Sequence, residues 1–196
     1  ATPSKTKTRP TTAAEQQPNE DELTPKELMR SLNQKIRDEL ADELLDYVLD
    51  VSPAFFERLV VDLLLAMGYG GSLADAGEIL GRSGDGGIDG RIQEDKLGLS
   101  TIYIQAKRWD RGQSIGRKEI QAFVGSLMGQ GAAKGVFITT SHFTAQAEDY
   151  ANSLSNLKVI LIDGQQLAKL MIEHNVGVAV EHSIVIKRVD SDYFMV

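Results

Sequence analysis

Apolar residues first recur with a helical period between Leu23 and Asp50, where Leu28, Leu32, Ile36 and Leu40 are spaced by four and Leu44, Leu45, Val48 and Leu49 continue the stripe. Thr24, with Pro25 at the first helical position and Glu27 three residues on, marks the start of this helix. Ser52-Pro53 breaks it and opens a second helix running to Met67, with Gly68 as the stop and Glu57 in its second turn. Residues 68–90 hold nine glycines and no apolar period. Beyond them the pattern turns strand-like: a short strand over Ile88–Gln93, then Thr101–Lys107 (TIYIQAK), which alternates and is rich in β-branched and aromatic side chains.

The remainder alternates helix and strand. Helices are predicted over Arg117–Met128, His142–Leu154 and Gln165–His174, and buried strands over Gly135–Thr140 (GVFITT) and Lys158–Ile162 (KVILI). One more strand is expected in the tail, over Ser183–Val189. The pattern predicts an α/β fold, a central mixed β-sheet flanked by helices, with an N-terminal helical lead-in. The expected organisation is a flexible linker or tail over 1–19, a helical segment over 20–52 and a single domain over 53–196. Residues 1–19 are rich in Thr, Pro, Ala, Lys and Gln. The chain opens at Ala1 without an initiator Met, as expected of a fragment or a processed form.

Composition narrows the chemistry. The 196 residues are 42% hydrophobic and 25% charged and contain no cysteine, which excludes disulfides, thiolate metal sites and cysteine nucleophiles and fits a cytoplasmic protein. No apolar run approaches the roughly 18–20 residues of a membrane span. The net charge of −7 argues against a polyanion partner until its distribution is considered. Residues 20–62 carry 12 acids and 5 bases, which accounts for −7, whereas Lys107, Arg108, Arg111, Arg117 and Lys118 outnumber Asp110 and Glu119 within 101–120. Binding to a polyanion follows the local field.

Three pieces carry candidate chemistry: Gly84-Asp85-Gly86-Gly87-Ile88-Asp89-Gly90, the strand end Gln105-Ala106-Lys107, and Glu57 on the helix before them. Phosphodiester hydrolysis needs a divalent cation to neutralise the phosphate and lower the pKa of the attacking water. Magnesium takes hard oxygen ligands from few protein groups. Asp89 offers a carboxylate, Gln105 an amide oxygen and Ala106 a backbone carbonyl. Residues i and i+2 of a strand share a face, so Gln105 and Lys107 project together. If the strand carrying Asp89 pairs with this one, carboxylate, amide and ammonium converge, and Lys107 can hold the water and stabilise developing charge. Taken singly, each piece also has a bland reading: the glycine-rich stretch as a turn, Gln-Ala-Lys as a solvated strand, Glu57 as a surface charge.

Taken in order, these pieces resemble the PD-(D/E)xK nuclease superfamily and, more narrowly, the Mrr-type restriction endonuclease catalytic domain. The resemblance runs through Phe56-Glu57, Met67-Gly68-Tyr69-Gly70, GDGGIDG, QAK, Ile120-Gln121-Ala122-Phe123, Gly135–Thr140 and Leu161-Ile162-Asp163-Gly164, over roughly residues 20–195. It implies a restriction-endonuclease-like core and Mg²⁺-dependent hydrolysis of double-stranded DNA, with Mn²⁺ as a substitute. Asp89, Gln105, Lys107 and Glu57 are the implied catalytic group, and Asp89, Gln105 and Ala106 the metal-binding set. It further implies a type IV activity on modified, methylated DNA, a homodimer or higher homo-oligomer, and a separate winged-helix recognition domain, of which residues 1–19 are expected to be the connecting remnant. Gln105 departs from the acid of the wider superfamily but is typical of the Mrr-like branch. It removes one negative charge from the site, which Glu57 or Asp85 could restore through water.

Arg108, Arg111, Arg117 and Lys118 abut this centre and are the candidate phosphate contacts, with a solvated turn as the alternative. For Trp109 two readings stand: stacking on a base, or packing under the loop. Thr139, Thr140 and Ser141 are expected to cap the following helix, with contact to the DNA backbone as the alternative. His142, His174 and His182 lack metal-ligand spacing and are expected to be structural or surface residues. A DNA-junction resolvase and a non-catalytic DNA-binding module are the alternative functions.

Overall fold

The computed structural model describes residues 23–70, 78–79 and 87–195. The tail over 1–19 and the glycine-rich segment with Gly84, Asp85 and Gly86 lie outside them. The chain divides into two compact units, Ala1–Ile36 and Arg37–Val196. Helix α1 spans Pro25–Asp50. Its capping box is formed: Thr24 Oγ1 accepts from Glu27 N at 3.4 Å, and Glu27 Oε2 accepts from Thr24 N at 2.9 Å. The buried residues of α1 are Ala41, Leu44, Leu45 and Val48. Leu32 and Ile36, expected in the packed stripe, are exposed.

Helix α2 spans Pro53–Ala66, with Pro53 in its first turn and the Ser52 hydroxyl accepting from Phe55 N at 3.2 Å. Strands β1 (Glu78–Ile79), β2 (Gly90–Gln93) and β3 (Thr101–Lys107) follow, then β4 (Ser114–Ile115), α3 (Arg117–Gly129), β5 (Lys134–Thr139), β6 (His142–Phe143), α4 (Ala145–Asn152), β7 (Lys158–Ile162) and α5 (Gly164–Glu173). The main sheet has the order β1-β2-β3-β5-β7. β1–β2 and β2–β3 are antiparallel, β3–β5 and β5–β7 parallel, so the sheet is mixed as the pattern predicts.

Each face buries its own cluster. Ile102, Ile104 and Ala106 of β3, with Val136, Ile138 and Ile162, meet Phe56, Val60 and Leu63 of α2, Leu44 and Val48 of α1, and Leu167 and Met171 of α5. On the other face Phe137 and Val159 meet Ile120, Phe123 and Leu127 of α3 and Ala147 and Ala151 of α4. Phe137 sits edge-on between Phe123 and Phe143, with ring centroids 5.6 and 5.8 Å away. No helix of the described residues is long and apolar enough to cross a membrane.

Three expectations need correction. The helix predicted over His142–Leu154 begins at Ala145, because His142-Phe143 pairs with Ser114-Ile115 as a second, two-stranded sheet and Thr144 supplies the N-cap, its hydroxyl accepting from Ala147 N at 3.3 Å. Thr139, Thr140 and Ser141 therefore do not cap it. The tail over Ser183–Val189 is not a strand: it is exposed and makes no ladder, since a β-patterned segment gains nothing from an extended conformation without a neighbour to bond.

Candidate active site

The centre forms where β2 and β3 separate. Gly90 lies opposite Ile104, and beyond that pair Asp89 N still donates to Ile104 O at 2.8 Å. Asp89 thus sits across from Gln105, and its carboxylate Oδ2 accepts from Ala106 N at 2.7 Å. That bond joins the two motifs recognised in the sequence. The N–H and C=O of one strand residue point to the same neighbour, and Ile104 and Ala106 point to β2. Ala106 therefore directs its carbonyl to the Asp89 side. Lys107 points its own carbonyl the other way, where it accepts from Thr139 Oγ1 at 2.7 Å.

Gln105 is buried, at 6% exposure, and its amide lies against Gly87. Gly87 has φ +96°, and a β-carbon there would stand 3.0 Å from Gln105 Nε2, so this position requires glycine for both its backbone and its space.

Glu57 reaches the same place from α2, its neighbour Phe56 being inserted in the core. Burial raises the Glu57 pKa, the Asp89 carboxylate raises it further, and Lys107 opposes both. Burial also raises the pKa of Asp89, against the Ala106 hydrogen bond and the charge of Lys107. Asp89, Glu57 and Lys107 therefore share one field, in which two carboxylates face one ammonium. Asp85, the other acid considered, lies outside the described residues.

The basic residues after Lys107 divide. The Arg108 guanidinium turns back to α1, where Nη1 donates to the carbonyl of Leu49 in the last turn, and its Nε is buried without a partner. Arg108 thus has a structural partner, at the helix end that favours a cation. Arg111 pairs with Asp42 at 3.3 Å and Asp46 at 2.8 Å, also on α1. Arg117 and Lys118 are exposed at the start of α3, with the Arg117 guanidinium 5.0 Å from the Tyr150 ring centroid.

No local pattern foretells how the loop after Lys107 is held. Thr140 Oγ1 accepts from Trp109 N at 2.9 Å and donates to Trp109 O at 2.6 Å, and Ser141 Oγ donates to Gln113 O. The end of β5 thus fastens the loop that carries the basic cluster. Trp109 is partly buried against the α3–α4 core, which answers its packing reading. A cavity of about 160 Å³ between Arg111, His142 and the start of α5 is separate from this centre. His142 and His182 are exposed, and His174 closes α5.

The restriction endonuclease family Mrr_cat matches residues 48–171, which include Glu57, Asp89, Gln105 and Lys107. The chain belongs to the Mrr-type restriction endonuclease family. The type IV methyl-directed restriction enzyme EcoKMrr of Escherichia coli (strain K12) is 46% identical over 180 residues, 90% of this chain. The chain spans 57% of that relative's length. Among solved structures, the DNA modification-dependent restriction endonuclease AspBHI superposes with a TM-score of 0.55 at 20% identity, covering 72% of this chain and 36% of its own. The MspJI restriction endonuclease, solved in complex with a 27-mer oligonucleotide, gives a TM-score of 0.51 at 26% identity, covering 70% and 32%. The fold of about 70% of this chain is therefore shared with part of larger restriction endonucleases.

Proposed function

We propose that this Mrr-type chain is the catalytic part of a type IV restriction-like endonuclease that hydrolyses phosphodiester bonds of modified, methylated double-stranded DNA with a divalent metal, in the cytoplasm. The observation that carries the reading is the hydrogen bond from Ala106 N to Asp89, which holds the carboxylate just ahead of β2 against the strand of Gln105 and Lys107. The donor chemistry fits a hard cation: a carboxylate from Asp89, an amide oxygen from Gln105 and the Ala106 carbonyl. Among the described residues no three or more His, Asp or Glu side chains gather into a metal-binding group, so neutral oxygens have to complete the set. Burial is the main cause that raises the pKa of Asp89 and of Glu57, and a bound cation would offset that penalty on the charged carboxylates.

Bound Mg²⁺, or Mn²⁺ in its place, supplies charge neutralisation at the scissile phosphate and a lowered pKa for the attacking water. Lys107 orients that water and meets the charge that develops on the phosphate. Glu57 holds a water-bridged place at the centre from α2. Arg117 and Lys118 contact backbone phosphates and position the duplex without reading its sequence. One centre cuts one strand, so double-strand cleavage calls for a homodimer or higher oligomer.

The test is cleavage of methylated and unmethylated plasmid DNA, each with Mg²⁺ and with a chelator. Metal-dependent cutting of the methylated plasmid is expected. A gel shift of DNA without cutting under any metal would replace the nuclease by a binding module.

A further inference from the structure

After α5 the chain makes two turns and then leaves the core. Asn175 takes φ 55° and Gly177 φ 71°. Val176 and Val178 pack on the α1–α2–α5 cluster, and Gly177 passes over Met171 and Leu44. This course carries the tail toward α1. Beyond it, eight large apolar side chains between Val180 and Met195 stand 55–81% exposed. Four of them, Ile184, Val185, Ile186 and Val189, lie in the β-branched run Ser183–Val189 that the pattern marks as a strand. An exposed apolar segment of this size marks an interaction site.

The same unit holds an open sheet edge. β7 is the last strand on its side of the sheet and pairs only with β5 among the described residues. Lys158 N donates to Ala133 O on the β5 side. By strand alternation, Val159 and Leu161 point their N–H and C=O groups to the open edge. Ile160 is 42% exposed beside them. Such an edge is a template for an added strand.

We propose that residues 183–189 add as a strand to the open edge of β7 in a second copy of this chain, reciprocally, so that exchanged tails build the dimer. The proposal rests on the dimer invoked above for double-strand cutting and names the segment that makes it. Area favours a second copy. Each exposed tail side chain presents on the order of 100 Å². The four in residues 183–189, with the edge that the other copy's tail covers in return, come to on the order of 800 Å² per partner, as a stable interface needs. Self-exchange also pairs an unpartnered strand with an unpartnered edge of one sequence, and a two-fold operation closes both at once.

The absence of cysteine makes the test direct. In sedimentation, the chain is expected at twice its own mass, and the chain ended at Ala179 at its own mass with an unchanged far-UV spectrum. An Ile160→Cys chain mixed with an Ile184→Cys or Ile186→Cys chain should form a mixed disulfide dimer on oxidation. A full-length monomer, a truncated chain that still dimerises, or tail cysteines that link only to each other would each overturn the exchange. So would a chain carrying both cysteines that closes on itself. None of these readings depends on cleavage, so loss of the nuclease assignment and loss of the exchange are separately visible.

Discussion

The Asp89 carboxylate is fixed by the backbone amide of Ala106, 2.7 Å away, so the residue between Gln105 and Lys107 is the one that holds the acid. Asp89→Asn keeps an acceptor for that amide, whereas Asp89→Ala leaves it unpaired at a cost of about 1–2 kcal/mol. Urea denaturation should therefore separate the two variants in stability. Both should lose cleavage, since both lose the charge.

The Glu57 carboxylate makes stability depend on pH. Its folded pKa is raised above the ordinary 4.5, burial being the main cause and Asp89 the next. Above the raised value both folded and unfolded states are ionised, and only the folded state bears the penalty. As pH falls through the raised value the folded state takes up its proton first, and near 4.5 the penalty is gone. Without metal, Glu57→Gln should melt at a higher temperature than the parent at pH 7, with the gap closing toward pH 4.5. A gap that widens on acidification would contradict this assignment of charge.

Gln105 is where the site is short of charge. Gln105→Glu places a third carboxylate with Asp89 and Glu57. Calorimetry should show Mg²⁺ bound more tightly, by about an order of magnitude, with cleavage retained. The metal-free variant should be less stable, since the buried position near Gly87 then carries an ion. Weaker Mg²⁺ binding would remove Gln105 from the ligand set.

The basic cluster should split in the same way as its partners do. Lys118→Ala should lower DNA affinity and reduce the slope of log K against log salt by about 1. Arg108→Ala should leave that slope unchanged and destabilise the fold, because its guanidinium serves the Leu49 carbonyl. Arg111→Ala should cost less than about 1 kcal/mol, as its pairs with Asp42 and Asp46 are exposed.

What could be read in advance follows from the range of each interaction. Thr101–Lys107 and Lys158–Ile162 are strands to the residue, because alternation and β-branching are local signals. Gln105 and Lys107 share a face by period alone, and the family match covers them both. The pairing that brings Asp89 to Ala106 was conditional on a register that no local pattern fixes. The partners of Arg108 and Arg111 on α1, some 60 residues earlier, are invisible to spacing. The helix pattern runs back to His142 although the helix starts at Ala145, since Ser114-Ile115 gives no sign that it will pair there. The tail has strand pattern but no strand, since its pattern calls for a neighbour that one chain does not supply.

The proposed nuclease requires Lys107 to act at a metal centre built on Asp89 and Gln105. Single-turnover cleavage of methylated plasmid at saturating Mg²⁺ by the parent and by Lys107→Ala tests it most directly, with DNA affinity measured alongside. Lys107→Ala should cut at least about 100-fold more slowly, with melting temperature and DNA affinity near those of the parent. A variant that cuts at the parental rate would contradict it.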